Sequence, residues 1–584
     1  MGTISDKLMR IINTKEDIRQ ALISKGYDVP TSIPFKEYAK MILDLPCKVD
    51  SFPDIEGIVA RYSASGLTNE QMAANPVWVD KTGNGHDIQL KNFSWKGMSG
   101  VGGYEMNFNL WRNNVSSIPD ISMSTTTTSV SVSVGNSTYN NNLIYIHISN
   151  WDINKNHWLK VTSTYEDGDL AFIFYNDSNT KKIGLPANGY VNILAYPEFK
   201  GSYMYISTIS NKQGSFTIEQ LPLYPGALVF DGVDDYGVCE NFPILTKEKG
   251  YTVVVLRQWD QDFLNTTLTG GLLSTRNYST GEGVAFEKIE SSNKGYWNLG
   301  AGGIIDFAKS PFTWQTSKQY NNVGILKGDK NHGKPLCVGC GLSGGQQCGR
   351  FAIWELVFLD HDATEEELTK IKDYFVKTYP WLFPDKAWTV TGKTNEDEDR
   401  ATIANITGNG NDLVLSNFGF AEGSGYNEEG EYAGYLVTDG VDDKIISSIF
   451  KMGNDWTVIG DWELINTGKN DNAGIVKFDS IVIYNYNYNY NSMLINIKNG
   501  RNILIPDQNT VNAICSDGRI YSKDWKESIY NEETESTSKN FLTIGYSGNA
   551  YTKIAFKNLA IYPTVLSRED CIKAYNYLQI LKAK

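Results

Sequence analysis

From about residue 50 onwards, short runs of Val, Ile, Tyr, Phe and Thr alternate with turns rich in Gly, Asn and Asp. Runs of this length and composition are typical of β-strands. Met123–Val134 alternates small hydroxyl residues with valine, which is the two-residue period of a half-buried strand. Further strands are predicted at Leu170–Tyr175 and from Tyr203 onwards. The pattern therefore predicts a mainly β chain.

Residues 1–46 follow a different, helical pattern. Their apolar positions recur at alternating steps of four and three residues, interrupted at Lys15, and so form one stripe along a helix. Another short helix is predicted from Pro34 to Leu45. So short a segment cannot bury a core of its own, so its stripe must pack on the neighbouring domain, on a partner or on other copies of the chain. We assign attachment or oligomerisation to its apolar residues Leu8, Ile11, Ile12, Ile18, Leu22, Phe35, Tyr38 and Ile42.

Several motifs occur twice. Thr82–Asp87 (Thr-Gly-Asn-Gly-His-Asp) recurs as Thr407–Asp412, and Asp231–Asp235 (Asp-Gly-Val-Asp-Asp) recurs as Asp439–Asp443. The later motifs of the two copies keep a nearly constant spacing, whereas the first pair lies more than a hundred residues further apart. We therefore predict two homologous domains, the first interrupted by a small β-sandwich module. The predicted map is a helical segment at 1–46, a split domain at 50–380, an inserted module at 108–222 and a second copy at 385–584.

Composition and charge exclude several classes of protein. The chain has 584 residues, 41% of them hydrophobic and 12% aromatic, which is enough to bury several cores. Its 53 Lys and Arg against 67 Asp and Glu give a net charge of −14, so we expect no nucleic acid partner. No apolar run reaches the roughly 20 residues of a membrane-spanning helix, so we expect no membrane partner. The first residues lack the pattern of a secretory signal, so we expect synthesis in the cytoplasm.

The repeated Asp-Gly-Val-Asp-Asp motif has two interpretations. It has the composition of a turn that precedes a strand. Its three carboxylates, those of Asp231, Asp234 and Asp235, are also oxygen ligands of the kind that calcium prefers. Five residues with one Gly do not form the spaced ligand series of a dedicated calcium loop. The turn is therefore the preferred interpretation, and we expect no cofactor, with calcium at these three residues as the alternative.

A cysteine cluster is the candidate for a zinc site. Cys337, Cys340 and Cys348, with His332 nearby, would supply four ligands. The second copy carries Thr and Tyr where the first carries Cys337 and Cys340. Buried thiols on a strand are therefore the preferred interpretation.

Glycoside hydrolysis requires two carboxylates at a set distance across a cleft. No predicted strand carries a suitable pair of acids, and Glu282 and Glu287 have the surroundings of a solvated loop. We expect no enzymatic activity, with glycan hydrolysis as the alternative.

The stretch Tyr484–Asn491 alternates tyrosine with asparagine. In a strand, this alternation places the tyrosines on one face and the asparagines on the other. Tyrosine rings offer flat apolar faces to sugar rings, and amides offer donors and acceptors. The preferred interpretation is nevertheless that these tyrosines belong to the core or to a subunit interface and that the asparagines face solvent, with glycan contact as the alternative. The candidate glycan contacts are Tyr484, Tyr486, Tyr488 and Tyr490.

The repeated motifs resemble those of the laminin-G-like, or concanavalin A-like, jelly roll. In that family Trp-x-Asp-x-Thr/Ser-Gly-Asn-Gly opens the domain, and Trp78–Gly85 follows this pattern. A strand with Phe-Asp-Gly-x-Asp-Asp-Tyr comes later, as at Phe230–Tyr236. The second copy departs from the pattern, since Ile403–Asn405 replaces Trp-x-Asp and Thr438 replaces Phe. The resemblance implies two sandwiches but specifies no ligand.

The first 46 residues are similar to a helical segment near the N-termini of phage fibre-type virion proteins. The head and tail fibres of crAss-like and other Bacteroidales phages share the pattern of Lys15–Gly26 followed by Pro34–Ile42. In those proteins the segment is associated with attachment to the particle or with oligomerisation.

The resemblance implies a structural virion protein at the virion surface, a head or tail fibre that binds bacterial surface glycans. Its partners would be other virion proteins (capsid, portal or tail) and further copies of itself, with a trimer expected. The alternatives are a glycan-depolymerising tail spike and a bacterial surface lectin or adhesin.

Overall fold

A computed structural model describes Lys15 and residues 52–583 except for the gaps given at the end of this paragraph. The chain divides into two compact units, Met1–Asp54 and Ile55–Lys584, and the architecture below is that of the second unit. The eight apolar residues that we assign to attachment or oligomerisation lie outside the described residues. The gaps are 106, 114–120, 136–141, 148–156, 177–178, 194–202, 209–212, 247–248, 265, 276–284, 289–293, 298–303, 307–334, 343–345, 431, 466–473, 479–480, 487–491, 498–500, 506–510, 523–524, 526, 530–541 and 548–549.

The first β-sandwich begins before the insertion and ends after it. Before the insertion lie β1 (Ile58–Ser63), α1 (Asn69–Ala74), β2 (Val77–Trp78), β3 (Ile88–Lys91) and β4 (Gly100–Val101). The inserted module contains β5 (Arg112–Asn113), β6 (Ile121–Thr125), β7 (Ser129–Val134), β8 (Asn142–His147), β9 (His157–Ser163), β10 (Leu170–Asn176), β11 (Asn179–Leu185), β12 (Asn188–Ile193), β13 (Tyr203–Thr208) and β14 (Gly214–Gln220).

The first sandwich then resumes and is closed by a helix. Its later elements are β15 (Leu228–Asp231), β16 (Tyr236–Cys239), β17 (Thr252–Trp259), α2 (Gln261–Leu264), β18 (Gly270–Ser274), β19 (Ala285–Lys288), β20 (Lys294–Trp297), β21 (Ile304–Asp306), β22 (Leu336–Val338), β23 (Cys340–Leu342), β24 (Gln346–Cys348), β25 (Arg350–Leu359) and α3 (Glu365–Thr378).

The second sandwich follows without interruption and also ends in a helix. It contains β26 (Lys386–Thr389), β27 (Thr402–Ile403), β28 (Leu413–Ser416), β29 (Gly425–Asn427), β30 (Tyr435–Val437), β31 (Lys444–Ser447), β32 (Thr457–Leu464), β33 (Gly474–Phe478), β34 (Ile481–Tyr486), β35 (Ser492–Ile497), β36 (Arg501–Ile505), β37 (Val511–Cys515), β38 (Arg519–Ser522), β39 (Glu527–Ile529), β40 (Thr543–Ile544), β41 (Tyr546–Ser547), β42 (Ala550–Tyr551), β43 (Ile554–Tyr562) and α4 (Arg568–Gln579).

The two sandwiches share the strand pairing around β25 and β43, and in the second copy this sheet continues from β32 to β37, β38 and β39. In the first, β25 pairs with β17 along one edge and with β1 and β15 along the other, and β43 pairs in the same way with β32, β26 and β30. The opposing sheet runs β2-β3-β16-β22-β18-β19-β20-β21 in the first copy and β27-β28-β31-β40-β33-β34-β35-β36 in the second. The prediction of a mainly β fold with a sandwich inserted into the first of two sandwiches is confirmed.

The closing helices of both sandwiches begin with a capping residue. Thr364 accepts a hydrogen bond from the backbone N–H of Glu367, whose carboxylate accepts one in return from the N–H of Thr364 at the start of α3. Ser567 caps α4 in the same position. Such caps satisfy amides that the first helical turn leaves unpaired.

A shared aromatic core joins the three modules. Trp158 of the inserted module meets Tyr575 of α4 edge to face, with ring centroids 5.0 Å apart. Trp354 of β25 meets Tyr577 of the same helix at 6.2 Å. The buried hydroxyl of Tyr577 donates to the side chain of Gln258 at 2.7 Å, which ties the second sandwich to the first. Because these side chains are almost fully buried, the modules form one body rather than a string of domains.

The two copies differ in one buried polar contact. In the first, Arg61 of β1 pairs with Glu355 of β25, whose side chain is fully buried. The hydroxyl of Tyr379 donates to that carboxylate at 2.8 Å, and Arg61 donates to the hydroxyl of Tyr374, also at 2.8 Å. The register of β26 on β43 places Ala387 and Asn558 at the equivalent positions of the second copy. The fold therefore accommodates two different pairs of residues at the same position in the sheet.

This difference provides a stability test. We expect Arg61→Ala to lower the free energy of unfolding by about 3–5 kcal/mol, because it leaves the Glu355 carboxylate buried without its counter-charge. The double variant Arg61→Ala/Glu355→Asn reproduces the second copy and should recover part of that loss. Urea unfolding followed by circular dichroism measures both. A double variant no more stable than the single one would contradict this account.

Candidate functional site

The carboxylates of the first acidic turn bind the backbone of that turn. Asp231 Oδ1 accepts from the N–H of Val233 at 2.7 Å, and Asp235 Oδ2 accepts from the N–H of Asp231 at 3.0 Å. The hydroxyl of Ser99 donates to Asp235 Oδ1 at 2.9 Å. Gly232 has a φ of +77°, and a Cβ there would approach Arg350 to 2.8 Å, so the turn requires glycine. These contacts account for the motif as a structural turn.

The second copy repeats this geometry. Asp439 Oδ1 accepts from the N–H of Val441 at 2.7 Å, and Asp443 Oδ2 accepts from the N–H of Asp439 at 2.8 Å. In each turn one oxygen from each of three aspartates lies within 4.8 Å of the others. Burial raises the pKa of Asp235 to about 7 and that of Asp443 to about 6. Calcium at Asp231, Asp234 and Asp235 stays a prediction.

The other candidate site residues are the tyrosines of Tyr484–Asn491 and the cysteine cluster, and only some of them lie in the part of the chain that the structure describes. Tyr484 and Tyr486 lie on β34, which pairs with β33 and β35, whereas Tyr488 and Tyr490 lie outside the described residues. Cys337, Cys340 and Cys348 are buried cysteines on β22, β23 and β24, as the strand interpretation predicts. Among the described residues, the groups of three metal-ligating side chains within 4.8 Å are the two aspartate groups.

The prediction of a solvated loop at Glu287 is wrong. Glu287 lies on β19, between β18 and β20, and only 4% of it is exposed. Glu282 lies outside the described residues. A carboxylate buried within a sheet is not placed to act on a polymer in solution, so Glu287 adds no support to glycan hydrolysis.

A cluster of tyrosines lies on the outer face of the inserted module. Its five-stranded sheet has the order β11-β10-β13-β8-β5. The register pairs Tyr205 with Tyr145 and Tyr203 with Tyr175, and direct cross-strand partners share a face. The intervening residues Phe172, Phe174, Met204 and Ile206 are buried in the core of the module. The four tyrosines therefore point away from that core, and we call them the tyrosine face.

The rings of the tyrosine face contact one another and remain accessible. The centroids of Tyr145 and Tyr203 are 5.6 Å apart, and Tyr205 lies 6.0 Å from Tyr145 and 6.2 Å from Tyr203. Tyr175 is 49% exposed and Tyr203 is 40% exposed. Burial, together with the nearby hydroxyls of the other three tyrosines, raises the pKa of Tyr205. The Tyr205 phenol is therefore neutral at neutral pH.

The opposite outer face of the module is rich in hydroxyl groups and packs at one end against the shared aromatic core. It belongs to the sheet β12-β9-β14-β7-β6 and carries mainly hydroxyl side chains, with Ser131 and Thr217 hydrogen bonded at 2.9 Å. At one end of this face Trp158 and Tyr190 pack into the shared aromatic core. The module is thus docked through one sheet, and the tyrosine face on its other sheet points away from both large sandwiches.

The sequence analysis predicts the strands of the tyrosine face without identifying the face itself. It places strands at Leu170–Tyr175 and from Tyr203 onwards, where the structure has β10 and β13. The available signal was the alternation of Tyr203 and Tyr205. That alternation does not reveal that strands carrying Tyr145 and Tyr175 lie on either side.

No protein-family model matches the chain, and no curated protein matches it. Among solved structures, the binding domain of Botulinum neurotoxin serotype D is 12% identical over 60% of this chain and 89% of that chain, with a TM-score of 0.24. Trypanosoma rangeli sialidase in complex with 2,3-difluorosialic acid is 8% identical over 84% of this chain and 91% of that chain, with a TM-score of 0.22. Similarities this low do not bear on what the chain does.

None of the helices in the described part of the chain combines the length and the apolar character that crossing a membrane requires.

The buried carboxyl of Asp235 predicts a pH dependence of stability. Its folded pKa of about 7 lies above its ordinary value of 3.8. The contribution of this carboxyl group to the free energy of unfolding is therefore complete below about pH 4 and is lost as the pH rises through 7. Asp235→Asn keeps an acceptor for the N–H of Asp231 and gains a donor to Ser99, without a charge. Between pH 4 and pH 8, we expect the free energy of unfolding of the wild type to fall by at least about 1 kcal/mol more than that of this variant. A difference of about 1.4 kcal/mol is equivalent to one pKa unit.

Urea unfolding at both pH values measures this difference. Asp234→Asn, in the exposed part of the same turn, is the matched control and should show a smaller change. Parallel pH profiles for wild type and Asp235→Asn would contradict the assignment. The same proteins test the calcium prediction, since a bound ion at pH 8 would stabilise the wild type more than Asp235→Asn.

Proposed function

We propose that this chain is a non-catalytic adhesion protein that binds carbohydrate through the tyrosine face of its inserted module. The observation that carries the proposal is the set of four tyrosines on three adjacent strands, turned away from the rest of the described chain. Each ring combines a flat apolar surface with a hydroxyl that both donates and accepts hydrogen bonds. Sugar rings present the complementary combination of C–H faces and hydroxyl groups.

The size of the face favours a saccharide over a folded protein. Tyrosines bury about 150–250 Å² when fully covered, so the 49% and 40% exposures of Tyr175 and Tyr203 correspond to on the order of 100 Å² each. With Tyr145 and Tyr205 the apolar area is on the order of 300 Å². A specific protein interface needs about 800 Å² on each partner. A carbohydrate chain is narrow and therefore requires a smaller contact area.

The wider role follows from the sequence resemblance to phage fibres. In this setting residues 1–46 attach the chain to a virion or join copies of it, and the inserted module contacts bacterial surface glycan. A shallow aromatic face binds each saccharide weakly. Several copies on one particle raise the effective concentration of binding sites, so that avidity replaces affinity.

Removing the exposed rings tests the glycan site. Tyr175→Ala/Tyr203→Ala should weaken binding to a responsive polysaccharide at least tenfold, or about 1.4 kcal/mol, because stacking area is lost. Tyr175→Phe/Tyr203→Phe keeps the rings and is the matched control, expected to retain most of the affinity. A glycan array followed by isothermal titration calorimetry provides the measurement. Undiminished binding by the alanine variant, or a change in its oligomeric state instead, would overturn the assignment.

A truncation tests the proposed role of the first 46 residues. A protein that begins at residue 47 should lose its oligomeric state, since the apolar stripe that includes Leu8, Ile11 and Ile18 is removed. Mass photometry of both proteins at matched concentrations measures the effect. An unchanged mass distribution would contradict oligomerisation through this segment, and incorporation of the truncated protein into particles would contradict attachment.

A further inference from the structure

One cross-strand row of the tyrosine face ends in a cation on each side. Reading across the sheet, the register joins Arg112 of β5 to Tyr145, Tyr145 to Tyr205, Tyr205 to Ile173, and Ile173 to Lys182 of β11. Both Arg112 and Lys182 are exposed. Four strand spacings of about 4.8 Å separate the two ends, which makes the row about 19 Å long.

Arg112 is held in place by the chain beside it. Its Nη1 donates to the backbone carbonyls of Asn109 at 2.8 Å and Trp111 at 3.0 Å. A guanidinium has five N–H donors, so the Nε and Nη2 groups can serve a ligand. Lys182 has no carboxylate partner among the residues that the structure describes.

The charge of this face is positive at the positions that the structure describes. Among the outward positions of the described strands, Arg112 and Lys182 are the positively charged residues and none is a carboxylate. The chain as a whole has a net charge of −14. On the opposite face of the same module, Lys160 is paired with Glu219 at 3.5 Å. The tyrosine face therefore differs in charge from its surroundings as well as in aromatic content.

We infer that the ligand of the tyrosine face is an acidic polysaccharide that lies across the strands from Arg112 to Lys182. This inference rests on the proposed carbohydrate-binding function and narrows its substrate class. Tyr145 and Tyr205 stack on the sugar rings in the middle of the row, and the more exposed Tyr175 and Tyr203 flank them. The cations at the two ends pair with carboxylate or sulfate groups, which a neutral glycan lacks.

Two forms of one polysaccharide separate charge from ring stacking. The probes are oligogalacturonate and its methyl ester, which share a backbone and differ in their carboxylates. The full-length wild type should bind the acid form at least tenfold more tightly than the ester at low salt. That preference should shrink in 1 M NaCl, where the Debye length falls to about 3 Å.

Charge variants then test the two named residues. Arg112→Gln/Lys182→Gln should weaken binding of the acid form at least tenfold and leave binding of the ester unchanged. Lys160→Gln, on the opposite face, is the control and should bind the acid form as the wild type does. Arg112→Lys/Lys182→Arg keeps both charges and should retain the preference, which shows that charge rather than local folding is responsible.

The outcomes distinguish this inference from the proposed function. Equal binding of acid and ester by the wild type, or undiminished acid binding by Arg112→Gln/Lys182→Gln, overturns the inference. If Tyr175→Ala/Tyr203→Ala still loses binding of either form, the carbohydrate site stands without its charge preference. If Tyr175→Ala/Tyr203→Ala binds both forms as the wild type does, the proposed function fails together with the inference.

Discussion

The shared aromatic core is the constraint on which the rest of this structure depends. A two-sheet sandwich has two outer faces, and the inserted module uses one of them to pack Trp158 against Tyr575 and Tyr190 into the same core. Burial of these large side chains provides most of the driving force for docking. Only the other outer face then remains for a ligand. The position of the tyrosine face is therefore a consequence of how the module is attached.

Duplication accounts for the placement of the proposed site in the insertion rather than in the repeated domains. The two large sandwiches keep the same strand pairing around β25 and β43 and the same acidic turn, whose carboxylates accept hydrogen bonds from the backbone of that turn. They differ where polar groups are buried, as Arg61 and Glu355 against Ala387 and Asn558 show. Because the frame depends on apolar packing, such differences are tolerated. The inserted module has no second copy, so its surface is free to differ from both.

The sequence predicts what depends on local pattern. The strands, the repeated turns and the presence of an insertion follow from alternation, turn residues and self-comparison. The tyrosine face does not, because it depends on the pairing of strands that are separated by many residues. Tyr145, Tyr175 and Tyr203 are spread over almost 60 residues and meet only when the register of β8, β10 and β13 is known. The alternation at Tyr484–Asn491, by contrast, can be recognised from the sequence because its pattern is local.

The arrangement of the tyrosine face reduces the entropy that binding would cost. Strand backbones fix the spacing of the rings, and contacts between the rings of Tyr145, Tyr203 and Tyr205 restrict their rotamers before a ligand arrives. Arg112 is likewise oriented by two carbonyl groups, whereas Lys182 is a long side chain at the edge of the sheet. In the proposed binding mode, the rigid middle of the row would contribute affinity through stacking, and its charged ends would contribute selectivity and faster association. Such a division would suit binding and release of a long, repetitive polysaccharide, since each saccharide contact is weak and equivalent contacts lie close by along the polymer.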